Sequence, residues 1–219
     1  MRPLQYSVRE SLDAAVTIFQ THLAAGGPAA EYLTARAIDP GWARERYRLG
    51  FVADSTVPGF ERFVGRLAIP NLCASGHVVG IKFRELPPET SDRKYDGPAG
   101  EQKRLFNTRA LLTEGDVIAI TEGELDAISL GLLGIPAVSV PSGASSWNKR
   151  RHWRLFEGFR RVVVFRDSDV GGDLLPKAIL ESDLPVIVVN PPHGYNDVNE
   201  ALIAGLGDEL VRLVNGVPR

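Results

Sequence analysis

The sequence predicts an α/β protein: a parallel sheet flanked by helices in the C-terminal half, preceded by a smaller α+β subdomain. Three observations predict it. From Asp116 onward, short and nearly continuous apolar runs alternate with helical stretches, the pattern of a parallel sheet covered on both faces. Ahead of them, helical periodicity gives way to two β-rich runs joined by a tight turn. Two of the later apolar runs end in pairs of acids.

In chain order, Ser7-Val8-Arg9-Glu10 has the spacing of a capping box, with Leu12, Ala15, Val16, Phe19 and Leu23 following at helical intervals to about His22. Gly26-Gly27-Pro28 breaks this helix, and residues 29–36 start another. Asp39-Pro40 reads as a cap and first turn of a third, through Arg46. Arg66–Pro70 and His77–Phe83 flank Ser75-Gly76, a hairpin signal. Residues 85–104, rich in proline, glycine and charge, read as a long loop. Strands then follow at 117–120, 137–140, 161–165 and 186–189, with helices at 125–133, 147–159 and 174–180 between them and a final helix after Glu200. The predicted boundary leaves residues 1–112 as a basic N-terminal subdomain and 113–219 as the sheet-bearing one.

A chain of 219 residues, 44% hydrophobic, can bury one core and a small companion. No apolar run approaches the roughly 20 residues of a membrane span, and the first residues lack a signal-peptide pattern, so the expectation is a cytoplasmic protein without membrane contact. The single cysteine, Cys73, excludes an internal disulfide and a zinc knuckle made by this chain alone. Net charge is −2, but it is uneven: residues 1–110 carry 15 Lys and Arg against 12 Asp and Glu, and residues 111–219 carry 10 against 15. Within the acidic half, Lys149 to Arg166 holds seven cations and only Glu157. Such a strip is either a phosphate-binding surface or a solvated helix face.

The acids are the chemical signal. Ile118-Ala119-Ile120-Thr121 runs into Glu122-Gly123-Glu124-Leu125-Asp126, and Val163-Val164-Phe165-Arg166 runs into Asp167-Ser168-Asp169. In parallel α/β sheets the site lies beyond the carboxyl ends of the strands, so both sets share one edge. Asp126 stands four residues after Glu122, and alternation lets Asp167 and Asp169 point the same way. Clustered carboxylates resist common ionisation unless a cation neutralises them, and oxygen ligands suit Mg²⁺ or Mn²⁺. The alternative, acids complementing helix dipoles, explains either set alone. Glu124 is expected to face outward.

Residues 120–127, Val140-Pro141-Ser142-Gly143-Ala144-Ser145 and 164–172 resemble, in order and spacing, the Toprim fold of DnaG-type primases, in the form found in phage primase-helicases. Asn196-Asp197-Val198-Asn199-Glu200 resembles the segment that closes their site, with Asn196 where a lysine often stands, and Asp173 replaces the usual arginine. Residues 29–36 with Arg48–Phe51, Gly65–Pro70 with Gly80–Arg84, and Lys94-Tyr95 with Leu105-Phe106-Asn107 resemble the primase N-terminal subdomain and its basic loop.

The resemblance implies metal-assisted nucleotidyl transfer, making short RNA primers on single-stranded DNA from ribonucleoside triphosphates, with two or more Mg²⁺ or Mn²⁺ ions and no zinc. Asp126, Asp167 and Asp169 would hold metal, while Glu122 either holds metal or moves protons. Nucleotide or template contacts fall to Arg66, Lys82, Arg84, Lys94, Tyr95, Asn107, Lys149, Arg150, Asp197 and Asn199. The forked and point charges among them suit phosphates, and Tyr95 a base. Their plainer alternatives are a solubilising Lys82–Arg84 pair on an outer strand face and a loop-anchoring Tyr95. A replicative helicase or a separate zinc-binding primase protein is the expected partner. Competing functions are a Toprim nuclease and a non-catalytic nucleic-acid-binding remnant.

Overall fold

A computed structural model describes residues 4–89, 93–98, 100, 102–168 and 171–216. The chain divides into two compact units, Met1–Gln102 and Lys103–Arg219. Residues 103–112, which the sequence places with the first half, belong to the second. Leu105 and Ala110 are packed in its core.

The first unit opens with three helices, α1 (Tyr6–Ala24), α2 (Pro28–Ala35) and α3 (Pro40–Tyr47). Helix α1 begins one residue before the expected Ser7 cap, and its N-cap, Gln5, makes no side-chain capping bond. Asp39 does cap α3, accepting from Trp42 N at 2.5 Å, with Pro40 in the first turn where its missing N–H costs nothing. The sheet is antiparallel in the order β1 (Gly50–Phe51), β2 (Arg66–Leu72), β3 (Val78–Glu85), β4 (Tyr95–Asp96). Hairpin β2–β3 is as expected, and β4 lies inside the segment expected to be wholly loop. Val16, Phe19, Phe63, Ala68, Ile81 and Phe83 form the core between α1 and this sheet, with Phe63 and Phe83 stacked at 3.9 Å.

The second unit is a four-stranded parallel sheet, β5 (Val117–Thr121), β6 (Ala137–Ser139), β7 (Arg161–Phe165) and β8 (Val186–Val189), in the spatial order β6-β5-β7-β8. Helices α4 (Glu124–Leu132), α5 (Lys149–His152) and α6 (Leu174–Leu180) lie between successive strands. Helices α7 (Val198–Ile203) and α8 (Gly207–Asn215) follow, so the single final helix expected is two, separated at Gly205, whose φ is 80°. The expected helix over 147–159 is also shorter: after α5 comes only one 3-10 turn, Trp153–Leu155. Trp147, Phe156 and Phe159 are buried with Ile118, Ile120, Val162 and Val164. These aromatic anchors fix turns to the sheet, so their spacing does not report a helix.

No helix among the described residues is long and apolar enough to cross a membrane.

Candidate active site

Strands β5 and β7 are neighbours in register, with Ile120 beside Val164. Two residues past Ile120 stands Glu122, and three past Val164 stands Asp167. Both therefore emerge at the carboxyl edge of adjacent central strands, where open parallel sheets place their chemistry. Glu122 and Asp167 are each half-buried. Asp169 lies outside the described residues.

At the end of β5 the chain turns tightly into α4. Thr121 Oγ1 donates to Gly123 O at 2.9 Å, and Gly123 is the helix N-cap. Glycine at position 123 leaves room for a carboxylate: a Cβ there would lie 2.5 Å from Asp126 Oδ2. Asp126 thus folds back over the turn that carries Glu122. Gly143, in the loop after β6, is close to Glu122 as well, its missing Cβ falling 3.7 Å from Glu122 Oε2. At the end of β7 the chain doubles back so closely that a Cβ on Gly172 would fall 1.7 Å from the carbonyl oxygen of Asp167.

A third segment ties the two acid-bearing ends together. Ser168 N donates to Asn196 O at 2.8 Å and Ser168 Oγ to Tyr195 O at 3.3 Å, fixing residues 195–196 to the end of β7. On the other side, Asn199 N donates to Asp126 Oδ1 at 2.9 Å and Asn199 Nδ2 donates to Ser129 Oγ at 2.9 Å, joining the start of α7 to α4. Asp197 caps α7 by accepting from Glu200 N at 2.7 Å, and Glu200 reaches back to Asn196 N at 2.8 Å. The pair differs from a capping box by one position, since Glu200 accepts from the residue before the cap. Asn199 is 1% and Asp126 8% exposed, so this junction is interior. Asp197 and Asn199, expected as ligand contacts, thus carry the loop that spans the acidic edge.

Glu124 is a correction. Expected to face outward, it is 3% exposed, because every residue of α4 from Glu124 to Leu130 is buried under the neighbouring elements.

The cations divide into two groups. In the first unit they are engaged. Arg66 lies 3.6 Å from Glu85, and Lys94 lies 3.6 Å from Glu89. Arg84 is 3% exposed and not on an outer strand face: its guanidinium sits over both Tyr32 and Tyr95, at 5.3 and 5.0 Å, donates to the Tyr32 hydroxyl, and meets Glu89 at 3.2 Å. Lys82 Nζ lies 4.4 Å from the centre of the Tyr95 ring. In the second unit Asn107 donates from Nδ2 to Ala137 O at 2.8 Å, extending the edge of β6. Lys149 donates to the carbonyl of Glu181 at the end of α6, and Arg150 is exposed. Asp173 pairs with Arg166 at 2.6 Å, a neighbour that makes an acid at this position locally consistent.

The donor set at the edge is all carboxylate oxygen, the chemistry that suits Mg²⁺ or Mn²⁺. Glu122 and Asp167 bring this oxygen chemistry to the ends of two neighbouring strands. Among the described residues, which omit Asp169, no group of three His, Cys, Asp or Glu side chains is arranged around a common point.

No protein-family model matches the chain. It is 36% identical over 155 residues to the gene 57 protein of Mycobacterium phage D29, covering 98% of that protein and 68% of this chain. It is 24% identical to the DNA primase of Aquifex aeolicus across 94% of this chain and 48% of that one. The crystal structure of the zinc-binding and RNA polymerase domains of the Aquifex primase superposes with a TM-score of 0.80 at 25% identity, over 95% of this chain and 60% of that one. The chain and the D29 gene 57 protein belong to one family, and the fold is that of DnaG-type primase catalytic cores. A DnaG primase catalytic domain solved bound to single-stranded DNA shares the fold, with a TM-score of 0.72 at 21% identity over 93% of this chain and 76% of that one. The primase-type architecture thus spans both units, and the chain accounts for about half the length of the Aquifex primase.

Sequence reasoning missed two members of the edge: Ser168, whose amide anchors the spanning segment, and Ser129, which receives Asn199. Neither carries a signal by residue type alone. Their positions, between two acids and three residues after Asp126, are the only hint.

Proposed function

We propose that this chain is the catalytic core of a DNA primase, synthesising short RNA primers on single-stranded DNA from ribonucleoside triphosphates. The observation that carries this reading is the emergence of Glu122 and Asp167 from adjacent central strands of a primase-type fold, under one segment tied to both strand ends.

Glu122, Asp167 and Asp169 would hold divalent cations, with Asp126 bracing the turn beneath. A bound Mg²⁺ or Mn²⁺ supplies charge neutralisation for the attacking 3′-oxygen and the departing pyrophosphate. The protein's own share is positional. The Gly123 and Gly172 turns bring the carboxylates to the strand ends, and the Asn199–Asp126 and Ser168–Asn196 bonds fix the opposite wall. Glu122, beside Gly143, either joins the metal set or takes the proton of the attacking hydroxyl. Tyr95, held by Lys82 and Arg84, offers a base-stacking face. Template reading through zinc would lie outside these 219 residues, since one cysteine cannot build such a site, and a helicase would deliver the strand.

The test is incubation of the full chain with a single-stranded template, labelled ribonucleotides and Mg²⁺ or Mn²⁺, with and without a helicase. Template-dependent short RNA, lost in Asp167→Asn, is the expected result. Cleavage of the template without incorporation would establish a nuclease, and binding without either reaction under any metal a non-catalytic remnant.

A further inference from the structure

The cations that sequence alone assigned to nucleic acid are, in the first unit, engaged by carboxylates and aromatic rings. The second unit shows the reverse. Arg150, Arg151 and Arg154 project from α5 and the turn after it, all exposed, and none has an ion-pair partner among the described residues. Lys149 beside them is anchored to the Glu181 carbonyl, and Asn148 Oδ1 caps the turn by accepting from Arg151 N at 3.1 Å. The strip is anchored at both ends: Trp147 and Phe156 are buried 5.8 Å apart in the sheet core on either side of it. Trp153, partly exposed between the arginines, has the Arg154 guanidinium 5.7 Å from its ring centre.

Three exposed guanidiniums, none in an ion pair among the described residues, stand within five positions of one another in a unit where acids outnumber bases, and no carboxylate offsets their like charge. An external polyanion supplies that compensation. An acidic protein would satisfy the charge but leaves the indole unexplained, whereas a partly exposed tryptophan among arginines is the composition of a single-strand surface: phosphates on the guanidiniums, a base on the ring.

We infer that Arg150, Arg151, Arg154 and Trp153 form a binding surface for the backbone and bases of single-stranded nucleic acid. It rests on the proposed function only for the origin of that strand, the template. Its chemistry is independent of the carboxylate edge.

The test is fluorescence anisotropy of labelled oligothymidylate with the full chain across a salt series, circular dichroism confirming the fold of each variant. Replacing Arg150, Arg151 and Arg154 together by Ala is expected to weaken binding at least tenfold at low salt and to flatten the log–log salt slope by about 2, from about 0.7 per phosphate contact on single strands. The triple Lys variant, which keeps the charge, retains most of the slope. Trp153→Phe removes the quench of tryptophan emission on binding while Trp42 and Trp147 remain. Single Arg150→Glu and Arg154→Glu variants give the same direction should the triple Ala variant fold poorly. Unchanged affinity and slope in the Ala and Glu variants overturn the inference, as does failure of the wild type to bind oligothymidylate at low salt. Primer synthesis by the wild type is read in parallel: strip-dependent binding without synthesis upholds the surface and removes only the catalytic reading.

Discussion

Asn199 donates its backbone N–H to Asp126 Oδ1 at 2.9 Å, and its side-chain amide to Ser129 at 2.9 Å, from a position 1% exposed. One residue thereby fixes the first turn of α4 against α7. Asn199→Ala removes only the side-chain bond, since the backbone donor remains. The expected loss is about 1–3 kcal/mol, read as a lower urea midpoint with unchanged slope. Asn199→Asp, which places a second carboxylate beside Asp126, is expected to cost more than Asn199→Ala.

Gly172→Ala places a methyl 1.7 Å from the Asp167 carbonyl, a backbone clash that no rotamer relieves. Gly123→Ala meets only the Asp126 carboxylate, which can swing, and its φ of −101° suits alanine. The first variant is expected to lose several kcal/mol of stability. The second keeps its melting temperature within a few degrees and loses primer synthesis. Equal stability losses in both would remove the distinction between a structural glycine and one that makes room for a carboxylate.

Asp13 provides a pH signature in the first unit. Partial burial alone would raise its pKa, but the hydrogen bonds from Arg48, Val78 N and His77 together outweigh this and hold it below the ordinary carboxylate value. A depressed folded-state pKa contributes stability above the unfolded value of about 3.9 and loses it as pH falls through the folded value. Stability against urea is therefore expected to fall more steeply below about pH 4 in the wild type than in Asp13→Asn. Parallel curves would exclude Asp13 as a source of the acid sensitivity.

Arg84→Met is expected to destabilise the first unit by about 1–3 kcal/mol, because it removes the buried guanidinium's bond to the Tyr32 hydroxyl, its pairing with Glu89 and two ring contacts. Thermal unfolding of the variant measures this. Arg150→Met, on an exposed position, is expected to shift stability by less than about 0.5 kcal/mol.

The difference between those two arginines shows where legibility stopped. The parallel strands were readable because Val-Ile-Ala-Ile and Val-Val-Val-Phe runs have no other soluble use, and the acids after them were readable because strand ends are where such sheets work. The fate of a cation was not, since it depends on partners such as Glu85, Glu89 and Tyr32 that only the tertiary fold brings near. Glu124 failed for the same reason: a charged first-turn residue is normally solvated, and only the burial of α4 reverses that. The Ser7-x-x-Glu10 pattern failed because Tyr6 already lies within the helix, leaving the serine a turn residue rather than a cap. The stretch 147–159 failed because Trp147, Phe156 and Phe159 are buried as anchors of separate turns on the sheet and not as one face of a continuous helix.

The order β6-β5-β7-β8 puts both acid-bearing strands inside the sheet, each hydrogen-bonded on two sides, while β8 shows Ile187 and Val188 to solvent at one edge. Backbone amides of β5 and β7 should consequently be the slowest of this unit to exchange with deuterium, and those of β8 faster. Local opening at the rim then leaves the carboxylates seated, so the second unit can breathe along its outer strand without releasing its grip on the chemistry.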